Sequence, residues 1–356
     1  MHVERFTSFS QLPAAAQALT EASLSVNPFV SAPWLQCFER YLVREDESLR
    51  YLVVRDQQRV LAVLPLVLKH MPLFGVQKVR GMTNFYTGIF NCLSNAAIAS
   101  PAAHEALAVG VAAALKAEFP HVGLIEFAPL RDHSGFMPCL ERSLHTYGYR
   151  TRHYLAHANW YEDLDGRDFA AYMADRPGRV RSTLDRKSKS LARELGYEVQ
   201  VCAEPADISS CMGEYHAVYA ASWKNTEYSP AFIEDIMVRM SAAGIVKLGI
   251  LRAGGQAAAV QIWIKIGLTW AVFKLAYDPR FDRYSVGSIL TARLIENFLM
   301  TGPCAGLDFL SGDDAYKQEW ATRRREHWGL EAVAMHNVMG IAIRAKRYLK
   351  GVALTT

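Results

Sequence analysis

The run Gly-Leu-Ile-Glu-Phe at 123–127 returns, one residue shorter, as Gly-Leu-Asp-Phe at 306–309. Each copy closes the same series. Two β-rich runs separated by a turn (49–68; 246–266) lead to a further strand. A long helix follows (101–119; 285–300), and then this short apolar strand. A series repeated at this scale restricts the fold more than any single motif. It predicts an α/β protein made of a duplicated unit rather than two unrelated domains. The chain has 356 residues, more than one hydrophobic core usually serves. We therefore expect two lobes, 1–165 and 166–356, parted at the polar run Asp163-Leu164-Asp165-Gly166-Arg167-Asp168. The last helix is expected to pack on its own lobe or across to the first, the alternative being a membrane surface met through Arg344, Lys346, Arg347 and Lys350.

Periodicity predicts the first lobe's helices over 10–21, 33–42, 101–119 and 134–146. Its strands are expected at 49–55, 60–68, 76–79, 84–93, 121–127 and 149–160. In the second lobe, helices are expected to start at 169 and to span 207–223, 230–243, 285–300 and 338–350. Strands there are expected at 197–202, 246–252, 256–266, 269–276, 305–310 and 328–335. Residues 311–320 read as a loop carrying two acids, a lysine and two aromatics. Trp223 ends its helix and is a candidate for the lobe junction.

Composition excludes several classes. Hydrophobic residues make up 51% and charged residues 21%, which is ordinary for a globular protein and not for a disordered one. The six cysteines at 37, 92, 139, 202, 211 and 304 include no Cys-x-x-Cys pair, and the eleven histidines form no ligand pattern, so no metal is expected. No apolar run reaches membrane-span or signal-peptide length, and a cytoplasmic setting is the default expectation. The net charge of +4 implies no partner by itself, but residues 176–193 hold seven basic side chains against Asp185 alone, a local charge of +6. That segment is either a solvated helix face or a wall for an anionic partner. Without interleaved aromatics it is a poor single-strand nucleic-acid site.

The stretch from Tyr277 to Trp320 carries the chemistry. A strand ends at Tyr277-Asp278-Pro279, the small-residue loop Ser285-Val286-Gly287-Ser288 follows, and a helix starts there. The first amides of a helix lack carbonyl partners and sit at its positive end, so this is a place to hold an anion. The next strand leads to Ser-Gly-Asp-Asp-Ala-Tyr-Lys-Gln-Glu-Trp at 311–320, and neighbouring strand ends would bring both loops to one sheet edge. In this order, together with Gly-Gly-Gln-Ala-Ala-Ala-Val-Gln-Ile-Trp at 254–263, the motifs resemble the GNAT-type acyltransferases of the CelD/BioF2-like group, relatives of the FemAB peptidoglycan aminoacyltransferases. In the first half the resemblance rests on 29–38, Leu64-Pro65-Leu66 and Asn84-Phe85-Tyr86.

The resemblance implies a tandem GNAT fold and transfer of an acyl group from acetyl-CoA or another acyl-CoA to an amine, on a saccharide, a peptide or a small molecule. It associates the chain with cell-envelope or exopolysaccharide metabolism. Two alternatives stay open: an aminoacyl-tRNA-dependent ligase of the FemAB kind, and a non-catalytic component of polysaccharide synthesis. CoA-dependent relatives carry Arg/Gln-x-x-Gly-x-Gly/Ala at the pyrophosphate loop. Matching Gly287 to the last glycine puts Ser285 at the first and Asp282 at the Arg/Gln position, with Arg283 adjacent but out of register.

Acyl transfer to an amine needs a proton removed, an oxyanion stabilised and the reactants aligned. The expected catalytic residues are Lys317 for positive charge, Asp308 as a proton acceptor or a structural acid, and Tyr277 as an acid or channel wall. Arg283, Ser285, Gly287 and Ser288 are the expected donor-binding residues. Tyr316 and Trp320, with Asn84 and Tyr86 in the first lobe, are the expected acceptor-binding residues. Each has a plain alternative: a surface ion pair for Lys317, a helix cap for the serines, and packing for the aromatics.

Overall fold

The computed structural model describes residues 1–72, 75–94, 100–131 and 135–349. Ser134 and Lys350, expected at two helix ends, lie outside them, as does the side chain of Arg347. The chain folds as two compact units, Met1–His157 with Glu326–Thr356, and Ala158–Arg325.

The first unit runs β1 (His2–Phe6), α1 (Ala14–Ala22), α2 (Ala32–Tyr41), β2 (Glu47–Asp56), β3 (Arg59–Met71), β4 (Gly75–Gly81), β5 (Leu93–Ser94), α3 (Pro101–Glu118), β6 (Leu124–Leu130), α4 (Phe136–Thr146) and most of β7 (Tyr149–Asp163). The second holds α5 (Phe169–Ala174), α6 (Gly178–Glu194), β8 (Tyr197–Cys202), α7 (Pro205–Ala221), α8 (Pro230–Ser241), β9 (Val246–Ala253), β10 (Gln256–Ile266), β11 (Thr269–Tyr277), α9 (Val286–Thr301), β12 (Gly306–Ser311) and α10 (Ala315–Trp320). The chain then returns to the first unit through β13 (Arg323–Ala334) and α11 (Val338–Tyr348).

The duplication is visible in strand pairing. In the first unit β2, β3 and β4 form an antiparallel meander, and β4 pairs β6 in parallel, Lys78 opposite Leu124 and Arg80 opposite Glu126. In the second, β9, β10 and β11 form the meander, and β11 pairs β12 in parallel, Thr269 opposite Gly306 and Ala271 opposite Asp308. Each parallel pair is joined through a long helix, as a parallel connection requires. The two Gly-Leu strands of the repeat are β6 and β12.

The units are drawn differently from the expected lobes after residue 325. β13 pairs antiparallel with β6, Trp328 opposite Leu130 through Val333 opposite Leu124, so its ladder bonds belong to the first unit. Helix α11 follows it there: Asn337 Nδ2 donates to the Val122 carbonyl at 2.8 Å, and Met339 packs directly over Gly123.

Two expected elements differ. Residues 84–92 are not a strand, despite their aromatic content, because Asn84 satisfies the backbone locally. Its Oδ1 accepts from the Tyr86 amide at 2.9 Å, its carbonyl accepts from the Thr87 amide, and its own amide donates to Thr87 Oγ1 at 3.1 Å. Residues 315–320 are not a loop but the six-residue helix α10. The core of the second unit gathers Trp263, Trp270, Phe298, Phe309 and Trp320 under α9, whose stripe Val286, Ile289, Leu290, Leu294, Ile295 and Phe298 is buried as its period predicts.

Candidate active site

The second unit opens where β11 and β12 part. Their parallel pairing covers 269–271 and 306–308 only, while β11 continues to Tyr277. The cause lies in β12. The ladder to β7 shifts register between Asp308 and Ser311, a bulge, and Leu310 within it takes a left-handed φ of 45°. That conformation is costly for a leucine and needs support. Asp308 supplies it: one carboxylate oxygen accepts from the Leu310 amide at 2.8 Å and from Asn159 Nδ2 at 2.6 Å, and the other pairs with Arg325. Arg325 is held in turn by Asn159 Oδ1 at 2.6 Å. Asp308 is fully buried. Glu126, its counterpart in the repeated motif, likewise ion-pairs, with Lys78, and accepts from Tyr154 at 2.8 Å.

Helix α9 starts at the open end. The turn 279–284 is fixed by Asp278, which accepts from the Arg280 amide at 2.9 Å. Ser285 then takes a left-handed φ of 53°, and its side chain makes no capping bond. The Ile289 amide reaches the Ser285 carbonyl, and no side chain among the described residues caps the amides of the first turn. The corresponding helix of the first unit, α3, is capped by Ser100 Oγ on the Ala103 amide at 3.1 Å. So α9 alone of the two starts without a side-chain cap at its positive end.

Around this helix start, Tyr277 lies against Gly287, with its ring 3.4 Å from the position a Cβ would take, and its hydroxyl donates to Asp282 at 3.0 Å. Burial and that bond raise the Tyr277 pKa. Asp282, expected at the Arg/Gln position of the loop, is thus engaged by a tyrosine. Tyr316 ties α10 to α9 through Thr291 Oγ1 at 2.6 Å, and Thr291 also accepts from Gln261 Nε2 at 2.7 Å. Gln261 further donates to the Gly287 carbonyl at 3.0 Å.

Lys317 follows on α10. Its side chain is only 11% exposed. The ammonium donates to the Ser311 carbonyl and lies 3.6 Å from Asp314. Gly312 (φ 126°) makes room, since a Cβ there would stand 2.7 Å from the ammonium. Burial lowers the Lys317 pKa against the pull of Asp314.

The other expected residues are placed as follows. Arg283 is largely exposed, stacks on Tyr284 and pairs with Glu194 at 3.2 Å. Ser285 and Ser288 are half-buried at the start of α9. Trp320 is wholly buried, and its carbonyl accepts from Tyr172 at 2.7 Å and Arg176 at 2.8 Å, so it packs the core and faces no groove. Asn84 and Tyr86 belong to the first unit, where Asn84 makes the turn and Tyr86 is buried. Trp223 is exposed and packs on Tyr277, ring centroids 4.6 Å apart.

Sequence reasoning missed the cations beside Tyr277. Lys274 on β11 pairs with buried Glu227 at 3.0 Å, and Lys224 rests over the rings of Trp223 and Tyr219. Burial, with Lys274, drives the Lys224 pKa down to about 8; Lys317 adds to the drop, Glu227 and Asp314 oppose it. A lysine inside the apolar run Ala-Val-Phe-Lys-Leu-Ala-Tyr, and a glutamine inside Ala-Val-Gln-Ile-Trp, were the signals present.

The basic segment is helix α6, which packs beside α9 and the 279–284 turn. Its charge is partly spent. Arg176 is buried against Glu162 at 2.9 Å, Arg179 pairs with Glu319, Lys189 with Asp185 and Arg193 with Glu194. Lys187 donates to the Arg283 carbonyl, beside the start of α9. Among the described residues no group of three or more His, Cys, Asp or Glu could hold a metal.

Residues 178–318 match the family model described as an acetyltransferase (GNAT) domain. The fold is that of a GNAT acyltransferase. Acyltransferase is accordingly the enzyme class of this chain. Solved structures similar to it include FemX (TM-score 0.60, 11% identity, covering 96% of this chain and 99% of that one). L-PGS from Bacillus licheniformis is similar at 0.56 and 11%, covering 97% and 98%. A tandem GNAT protein from the clavulanic acid biosynthesis pathway is similar at 0.51 and 12%, covering 94% and 100%. At such identities they share the fold. No curated protein sequence matches the chain. No described helix is long and apolar enough to cross a membrane.

Proposed function

We propose that the second unit transfers an acyl group from an acyl-CoA-type thioester to an amine, with the donor held in the opening between β11 and β12. The observation that carries this reading is the start of α9 at that opening, which no side chain among the described residues caps, on a helix of sixteen residues, beside Lys187. The amides of Val286, Gly287 and Ser288, with Lys187, suit the donor's phosphates. Asp282, engaged by Tyr277, is the feature that fits least well.

Lys317 supplies positive charge for the oxyanion that forms on the acyl carbonyl, and its burial strengthens that interaction. Asp308 fixes the bulge that opens the site, a positioning role, since both its oxygens are engaged. Tyr277 covers the helix start. The acceptor amine approaches from the face lined by Trp223, and the resemblance to the CelD/BioF2-like and FemAB families supports reading it as a cell-envelope or exopolysaccharide building block.

Titration with acetyl-CoA tests the donor: a saturable rise in melting temperature is expected, because a ligand that binds only the folded state stabilises it. In Lys317→Ala, turnover against a panel of amines should fall by about 10²–10³ while the melting temperature stays near that of the parent. An unchanged rate removes Lys317 from the mechanism. The aminoacyl-tRNA reading predicts tRNA binding with steep salt dependence through the exposed Arg179, Lys189 and Arg193. The pairing of these residues with acids weakens that alternative.

A further inference from the structure

Among the described residues, Lys224 is the one cation of its group without a partner. Lys274 has Glu227 and Lys317 has Asp314 and the Ser311 carbonyl, whereas the Lys224 side chain makes no hydrogen bond or ion pair with them. It follows α7, half-buried, with its ammonium 5.8 Å from the Trp223 ring centre and 6.0 Å from that of Tyr219. Trp223 packs on Tyr277, and Tyr277 packs on Gly287 at the start of α9. The amine therefore stands beside the proposed thioester opening, where burial, Lys274 and Lys317 disfavour its charged form and Glu227, Asp314 and the faces of the two rings oppose them. A lysine that loses its proton near neutral pH is a nucleophile.

We propose that Lys224 is a self-acylation site, modified by the thioester bound in the same unit. This rests on the donor reading above. The Lys224 Nζ lone pair attacks the thioester carbonyl carbon. The N–C bond forms, the C–S bond breaks, and the sulfur leaves as a thiol that carries away the amine's proton. The products are an Nε-acyl-lysine and free thiol, and the cluster loses one positive charge beside Lys317. An amide does not pass its acyl group on, so the modification is a terminal mark on the acceptor side of the site and not a catalytic relay.

The test is peptide mass spectrometry of the whole protein after exposure to S-acetyl-N-acetylcysteamine, and separately to acetyl-CoA, between pH 6.5 and 9.5. Lys189, which is solvent-exposed, serves as the internal reference. With the small thioester, Lys224 should acetylate at least about tenfold faster than Lys189 at pH 8, with a midpoint well below that of an ordinary lysine. Acetyl-CoA should raise the Lys224 rate further, because binding holds the carbonyl near the amine. Equal rates for Lys224 and Lys189 with both donors overturn the inference and leave the donor reading intact. A fast Lys224 that gains nothing from acetyl-CoA over the small thioester supports the reactive lysine and overturns CoA as the donor.

Discussion

Lys224 is held at a cost. Its folded pKa, about 8, lies below that of an unfolded lysine, so between these values the unfolded chain binds more protons than the folded one. The penalty is full below about pH 8, shrinks as pH rises towards the unfolded value, and vanishes above it. Lys224→Met should accordingly raise stability at pH 7, by about 1 kcal/mol after allowing for partial exposure, and by nothing near pH 11. Paired urea melts at the two pH values would show this, and an equal gain at both would mean that packing and not charge is responsible. Glu162 has the opposite sign. Burial raises its pKa, but bonds from Thr322 and Arg167 and the charge of Arg176 outweigh that, and the net shift is downward. Its contribution is present above the ordinary carboxylate range and is lost as pH falls through the lowered value. Glu162→Gln, which leaves buried Arg176 without its counter-ion, should cost about 3 kcal/mol at pH 7 and progressively less in acid. A pH-independent loss would contradict the assignment.

Among the elements, α9 was legible from its 3.6-residue stripe, and its loose start from the small residues before it. The bulge in β12 was not: nothing in Leu307-Asp308-Phe309-Leu310 announces a left-handed leucine, and Asp308 reads as an acid in an apolar strand until the amide it accepts from is seen. Helix α10 escaped because six residues are too short to display a period. The expected strand over 84–93 failed because local bonds from Asn84 outcompeted β-propensity. Thr291 is what couples the two legible pieces, α9 and the aromatic segment. Thr291→Val keeps the shape but strips bonds from Tyr316 and Gln261, and should cost about 1–3 kcal/mol in chemical denaturation. It should also weaken acetyl-CoA binding in calorimetry, because α10, which carries Lys317, loses its tie. Stability lost with binding retained would detach α10 from the donor site.

For the molecule as a whole, the duplicated plan was readable from strand and helix order, since both units repeat meander, long helix and parallel return. The path of the chain was not, because hydrophobic periodicity says that 328–335 is a strand and nothing about which sheet receives it. The structure gives β13 to the first unit, between β6 and β7. Its fit there is close: the Tyr154 ring lies flush against Gly329, so closely that a Cβ would stand 2.2 Å from it. A chain ended at residue 325 should therefore lose the first unit's protection in hydrogen exchange, at β6 above all, while β9 to β12 keep theirs. Equal loss in both would show that the units do not melt separately. The same path sets an order of events during synthesis. Residues 158–325 emerge as one uninterrupted block with every strand of their own meander to hand, whereas the segment made first must wait, its sheet incomplete, until the ribosome has released residue 334.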